Sequence, residues 1–408
     1  MSMTSAIPAH VPADRVRDVD IYQLPGAQRD VHVAWKQIQD TSPDLYYTPH
    51  YGGYWVLNRA ELLEQVWPDH EQFSSVKAIS IPNMPEMPPQ IPIEVDPPTH
   101  RYYRQPINLA VSPRAIQNLT AEARALAIEL IEKFLPQGRC EFVGEFSQYL
   151  PITVFLRLMD LPLDDRTWLL ERAEVMVRSP DVGARMGAYG EIVGYLDGWL
   201  RRRAGAPGED LISQILRVKV DGRPITHEEA LSECALVLFG GLDTVAGTMG
   251  FVARFLAMNP AHRQQLVDDP SLIPQAVEEL LRRHSIPTIG RQLTQDLTLD
   301  GVTLKAGDRV MISACLHGLD DRAWPDSLNV DFQRNTQNHM AFGRGIHKCP
   351  GANLARAELK VFLEEWLRRI PDFSLDDGDP PISASGAVAG MLRLPLTWPA
   401  SKQAGSRA

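Results

Sequence analysis

The chain has 408 residues, 44% hydrophobic and 23% charged, which is the composition of an ordinary soluble globular protein. Its net charge of −10 argues against nucleic acid as a partner, because phosphate binding needs a basic surface. Length alone favours two or three domains, a prior that fails where one large cofactor organises a single core.

Residues 1–15 hold no apolar run and are expected to fray, as are residues 399–408. Residues 81–98, IPNMPEMPPQIPIEVDPP, are too rich in proline for a helix and read as a stiff, irregular loop of the kind that covers a binding site. Helices are predicted over 113–134, 165–178 and 185–203. The longest begins at Thr226, where Thr226 and Glu229 form a capping-box pattern, and runs to Met258 before Asn259-Pro260 stops it. At about 1.5 Å per residue its thirty or so residues span roughly 45 Å, the width of a domain. Its middle is apolar nearly all round, so it should be buried.

Gly240-Gly241-Leu242-Asp243-Thr244 interrupts that pattern. Two glycines inside a helix cost about 1 kcal/mol each relative to alanine. An acid in an apolar stretch adds a desolvation cost, and a threonine can bond back to the carbonyl four residues earlier. Two readings stand: a helix-packing notch with a solvated Asp, or a groove where a small ligand meets the helix beside an Asp–Thr pair that moves protons. A further helix starts near Pro274 and ends before Pro287. Its Glu279 and Arg282 share a face, ordinarily as a surface salt bridge.

Strand signals follow. Leu297 to Leu299 and Val302 to Leu304 flank Asp300-Gly301, a hairpin turn pair, and Arg309 to Ile312 continues the sheet. A smaller hairpin is expected near Val388 to Leu396. The fold class is mainly α with minor antiparallel β. The four cysteines, Cys140, Cys234, Cys315 and Cys349, form no CxxC pair, which fits a reducing cytoplasm better than a zinc site or a disulfide framework. No window of about eighteen apolar residues is apparent, so a membrane span is not expected and the location reads as cytoplasmic.

Cys349 lies in Phe342-Gly343-Arg344-Gly345-Ile346-His347-Lys348-Cys349-Pro350-Gly351, just ahead of a predicted helix. Backbone N–H groups there favour a thiolate, and the glycines leave room for a flat ligand. The residues admit a buried structural thiol or a cysteinate bound to a haem face.

This loop, with Glu279-x-x-Arg282 and Gly241-x-Asp243-Thr244 in the same order and at similar distances, resembles the cytochrome P450 superfamily. Phe73-Ser74-Ser75, Asp96-Pro97-Pro98, Gly222 to Thr226 and Ile370 to Ser374 extend the likeness over the chain, to the bacterial camphor 5-monooxygenase family. The resemblance implies one domain, 1–408, with the cytochrome P450 fold, haem b as cofactor and O2 as co-substrate. It implies Cys349 as the axial iron ligand and Thr244 and Asp243 as catalytic residues, Asp243 exchanging a salt bridge with Arg178. It implies His100, Arg104, Arg291 and His347 as anchors of the haem propionates, with Gly240, Phe342 and Gly351 also against the cofactor. Glu279, Arg282 and Arg334 would form a buried structural charge network.

The same likeness implies a substrate pocket of Ile79, Pro88, Ile93, Val177, Leu236, Phe239, Pro287, Ile289, Ala387 and Val388. It departs from the camphor enzymes there. Pro88 stands where they have a tyrosine donor, Ile289 where they have a propionate-side aspartate, and Phe239 where they have a smaller valine. Such a pocket is less polar and suits a terpenoid or norisoprenoid, such as an ionone-like ketone, better than camphor. Electrons would come from a 2Fe-2S ferredoxin and an NADH-dependent flavoprotein reductase, docking near Arg101, Arg104, Arg344, Lys348 and Arg356 on a monomer. Glu64 stands where some relatives carry arginine. The alternatives are a peroxide-driven peroxygenase and a non-enzymatic haem-thiolate protein.

Overall fold

The computed structural model describes residues 5–82, 87–178 and 181–399, apart from the side chains at 177, 178, 182 and 242. Its central element is the helix His227–Met258. The capping box forms as the sequence indicates: Glu229 N–H donates to Thr226 Oγ1 at 3.2 Å and Thr226 N–H to Glu229 Oε2 at 2.8 Å. The helix continues unbroken through Gly240 and Gly241. By length and composition it could cross a membrane, contrary to the expectation of no such window. Residues 234–251 hold Asp243 as their one charged side chain. The helix is instead packed inside the protein, against Tyr149–Leu158, Val182–Gly205 and the strand Gly390–Arg393.

Two hydrophobic cores share this helix. Its N-terminal part, Ala230 to Leu238, is buried with Ile152, Leu156, Ile192, Leu196 and Ile212. Its C-terminal part, Met249 to Ala257, is buried with Phe142, Leu280, Phe362 and Trp366. Among the described residues, 240–244 belong to neither core. A side chain added at Gly240 or Gly241 would meet open space. One added at Gly250 would meet Met391 Cβ at 2.7 Å, and one at Gly247 would meet Ala389 O at 3.3 Å. The glycines at 247 and 250 therefore serve packing, whereas the pair at 240 and 241 keeps a space open.

The main sheet runs Leu45–Thr48, Tyr54–Leu57, Arg309–Ser313, Thr288–Leu293, Phe73–Ser74 in space. Its pairs are antiparallel except Tyr54–Leu57 with Arg309–Ser313. The hairpin at Asp300-Gly301 forms with Leu299 opposite Val302, both turn residues having positive φ, 49° and 71°. The helices Pro113–Phe134 and Arg166–Arg178 lie as expected, while Val182–Gly205 starts earlier because Asp181 caps it through the N–H groups of Gly183 and Ala184.

Two expectations are corrected. Val388 to Leu396 is not a hairpin. Gly390–Arg393 pairs with Ile382–Ala384, and Pro395–Thr397 pairs with Ser374–Leu375 and Arg139–Glu141. One residue, Leu394, separates the two strands, too few to reverse the chain. Residues 5–15 do not fray either. Ser5 N–H donates to Pro49 O at 2.8 Å, His10 meets Asp308 at 2.8 Å, and Arg15 pairs with Asp300 at 2.6 Å. Residues 400–408 lie outside the described residues.

The capping box carries a pH dependence. Hydrogen bonds from the Arg223 guanidinium, at 2.6 and 2.8 Å, hold Glu229 down at about 2 from its ordinary 4.5. A carboxyl lowered on folding contributes stability that is present above its unfolded pKa and lost as pH falls towards the folded one. Glu229→Gln should therefore flatten the loss of helical circular dichroism between pH 4.5 and about 2.

Candidate active site

The cysteine loop is held from several sides. Cys349 N–H donates to Phe342 O at 2.9 Å, and the helix Ala352–Arg369 follows at once. Gly343 and Gly345 have positive φ, 69° and 74°. A side chain at Gly343 would strike the Trp67 ring at 3.1 Å, and one at Gly345 would strike Pro68 Cα at 2.8 Å. These two glycines thus answer to backbone conformation and to packing on Trp67-Pro68. Gly351 is different, since a Cβ there would sit 3.9 Å from Cys349 Sγ.

Cys349 is solvent-accessible, yet protein crowds it on its other sides. Burial raises its pKa, against the lowering effect of the Gly351 N–H and of Arg104 and Arg356. The helix terminus and the cations therefore favour the thiolate without outweighing burial. A metal ion would tip that balance, because a coordinating thiol is deprotonated outright. Arg356 is fixed by Glu278 at 2.6 and 2.9 Å and lies 4.6 Å over the Phe342 ring, while His339 takes Glu278 at 2.9 Å. The sequence reading missed Glu278 and His339, because an ion pair between distant segments leaves no local pattern.

Four cationic residues gather beside the loop. His100 and His347 stand with ring centroids 4.5 Å apart. Arg291 is 2% exposed, and burial lowers its pKa to about 10. His100 Nε2, both ring nitrogens of His347 and Arg291 Nη2 have no hydrogen-bond partner. His347 Nε2 is 3.9 Å from Asp96 Oδ1, beyond hydrogen-bond reach. Burial drives His100 down to about 4, helped by the charges of His347 and Arg104. Buried donors left unmade are costly, so this cluster fits an anionic ligand edge such as a pair of haem propionates. Arg104 is turned differently: Nη2 donates to Lys348 O and Nε to Asn108 at 3.1 Å.

On the opposite wall, Thr244 Oγ1 donates to Gly240 O at 2.8 Å, the back-bond expected from the sequence. Asp243 lies one residue before it and is half-buried. Its expected partner Arg178 has a side chain outside the described residues, as has Val177. Several expected pocket residues meet near this wall. Pro287 bridges Val388, Thr288 N–H donates to Ala387 O at 2.8 Å, and Gly290 N–H donates to Ile79 O at 2.9 Å. The same segment touches the central helix at Gly247, one turn after Thr244. Ile289, Ile93 and Leu236 are half-buried, and Pro88 is exposed. The proline-rich loop docks through Pro89 O and Ile91 N–H on Ser232, at 2.6 and 3.0 Å. Phe239 stacks on Tyr189 at 5.7 Å, a partner the sequence did not reveal.

Glu279 and Arg282 are fully buried, not a surface pair, and meet twice at 2.8 Å. Arg334 reaches Glu279 at 3.1 Å. Arg282 also donates to the carbonyls of Gly318, Ser327 and Asn329, so every one of its nitrogens is used.

A buried helix with an open notch, a cysteine loop leading into a helix and a cluster of basic side chains with unused nitrogens fit a haem-thiolate enzyme. Comparison with known proteins agrees. The cytochrome P450 family model matches residues 201–397. The chain is 34% identical to the probable cytochrome P450 127A1 of Sinorhizobium fredii, over 97% of each chain. Its structure resembles that of CYP101J2, with a TM-score of 0.89, 38% identity and coverage of 97% of this chain and 100% of that one. CYP101C1 gives 0.87 and 37% with the same coverage.

The chain belongs to the cytochrome P450 family. It is a P450 monooxygenase, with haem b as its cofactor and O2 as its co-substrate.

Removing one member of a buried ion pair strands the other charge, at about 3–5 kcal/mol. Glu279→Ala should lower the stability of the purified protein by about that amount, read as a fall in the urea midpoint. An unchanged midpoint would contradict the network's structural role.

Proposed function

We propose that this enzyme hydroxylates a small apolar terpenoid or norisoprenoid, with electrons from a 2Fe-2S ferredoxin reduced through an NADH-dependent flavoprotein. The observation that carries the reading is Thr244, its hydroxyl held on Gly240 O at 2.8 Å where the central helix leaves one core and has not yet entered the other. Bound haem b supplies the activation of dioxygen. Cys349 would hold its iron, with the Gly351 N–H and the charges of Arg104 and Arg356 favouring the thiolate. His100, Arg291 and His347 would hold the propionates through the nitrogens left without partners, and Arg104 also ties down the carbonyl of Lys348.

Thr244 and Asp243 handle protons. With its proton on Gly240 O, Thr244 Oγ1 offers lone pairs to the pocket and acts as an acceptor there. Releasing Gly240 O makes it a donor, and Asp243 beside it can relay a proton taken from solvent water to replace the one given up. Glu279, Arg282 and Arg334 keep the strands and loops behind the cysteine in register. The pocket is apolar, with Pro287, Ile289, Ala387 and Val388 on one side and Phe239, backed by Tyr189, on another. A wall of this kind favours apolar area over recognition of one carbonyl.

The docking face is reduced from its sequence-level form. Arg101 and Lys348 are exposed and Arg344 is half-buried, but Arg356 is taken up by Glu278 and Arg104 turns inward. Glu64 is held at 3.0 Å by His317. A small basic patch on a chain of net charge −10 suits an acidic ferredoxin.

Product should form with NADH, reductase and ferredoxin, and not with hydrogen peroxide alone. Peroxide-driven turnover of similar rate would overturn the electron route. The reduced carbon monoxide complex should show the long-wavelength thiolate band, and Cys349→Ser should lose it. Ionone-like ketones should give a larger high-spin shift than camphor, read by visible spectroscopy. A camphor shift equal to theirs refutes the substrate class.

A further inference from the structure

A cavity of about 330 Å³ lies where the C-terminal ends of the central helix and of the helix Ile273–Arg283 come together. None of its lining residues belongs to the haem site. Its mouth is marked by Met258 and Leu328, which are exposed. Arg283 and His284, which are 7% and 5% exposed, line it within.

Arg283 is a buried cation without a matching anion. Its Nε donates to Leu328 O at 2.8 Å, its Nη1 has no partner, and among the described residues it makes no ion pair. Burial lowers its pKa against the attraction of Asp30. Asp30 is already engaged by Arg254 at 2.9 Å and by the backbone N–H groups of His32 and Val33 at 3.0 and 3.1 Å. His284 has no partner for either ring nitrogen. It packs against Phe255 at 5.7 Å, and burial with the charge of Arg283 keeps it neutral.

We propose that this cavity binds a small organic carboxylate. Its oxygens take the part of the Arg283 guanidinium that opens on the cavity, and its apolar body lies against Phe255 and Leu328. A guanidinium presents donors in the plane that a carboxylate needs. Asp30, which also lines the cavity, is offset by Arg254 at 2.9 Å, and the two helix ends oppose an anion with about half a charge each, against the full charge of Arg283. At about 30 Å³ per water, the volume equals some eleven waters. That is room enough for a one-ring acid. The site is distinct from the haem pocket, so a ligand there should leave the haem spectrum unchanged.

Calorimetry on the holoenzyme tests this, with benzoate as probe, inorganic phosphate as the bare oxyanion, and sodium chloride at equal ionic strength as control. Benzoate should bind, raise the melting temperature by a few degrees near saturation, and leave the visible spectrum unshifted. Leu328→Trp, at the exposed mouth, should weaken binding at least tenfold with turnover unchanged. Arg283→Gln should abolish it, and if that variant fails to fold the Leu328→Trp result decides. The proposal is overturned if benzoate shows no heat beyond chloride, if its binding shifts the haem spectrum, if Leu328→Trp leaves its affinity intact, or if phosphate binds and benzoate does not.

Discussion

One helix is shared between two hydrophobic cores, and the candidate active site lies where neither core covers its middle. Ala230 to Leu238 is buried by one set of helices and Met249 to Ala257 by another. Burial on both sides fixes the helix like a beam clamped at its ends. The stretch between them tolerates two glycines, an acid and a back-bonded threonine that an isolated helix would accommodate poorly. Tertiary packing stabilises the helix as a whole, so local propensity is released where function needs it.

The opposite wall is rigid for another reason. The cysteine loop has little regular structure of its own, and its shape comes from Gly343 and Gly345 in left-handed backbone pressed on Trp67-Pro68. Glu278 then clamps Arg356 and His339 to the same segment. Behind it, Glu279 and Arg282 use a buried ion pair to tie together the carbonyls of Gly318, Ser327 and Asn329. Such a pair contributes little net stability, because desolvation offsets its attraction, but it admits few alternative arrangements. A thiol proposed to meet a metal in one orientation would benefit from that restriction.

What could be read from the sequence was local. The capping box at Thr226 and Glu229, the Asp300-Gly301 turn and the 244-to-240 back-bond each depend on residues within a few positions, and each appears as expected. What could not be read was set at a distance. Val388 to Leu396 looks like a hairpin by pattern, but its two halves find partners in different sheets. The packing of the cysteine-loop glycines on Trp67-Pro68 leaves no local pattern, because Trp67 is far away in sequence. Glu279 and Arg282 have the spacing of any surface pair, and only the family's likeness pointed to their burial.

Partner accounting separates cations that build the fold from cations that await a ligand. Arg263 and Arg282 are both buried, and each uses all three of its nitrogens on carbonyls and a carboxylate. Arg291 and Arg283 are as deeply buried, yet each keeps a nitrogen with no partner, next to a histidine in the same condition. In the first case the guanidinium already has its anion or its carbonyls, and the local structure is complete without anything further. In the second, the protein offsets only part of the desolvation cost of the buried charge, through one carbonyl each and the attraction of Asp30 or Asp96. For Arg291 the proposed haem site provides the explanation, since a haem would bring its carboxylates to that edge. The same physical condition holds at Arg283, where no haem edge is involved, so an anion is the compensation that its chemistry calls for.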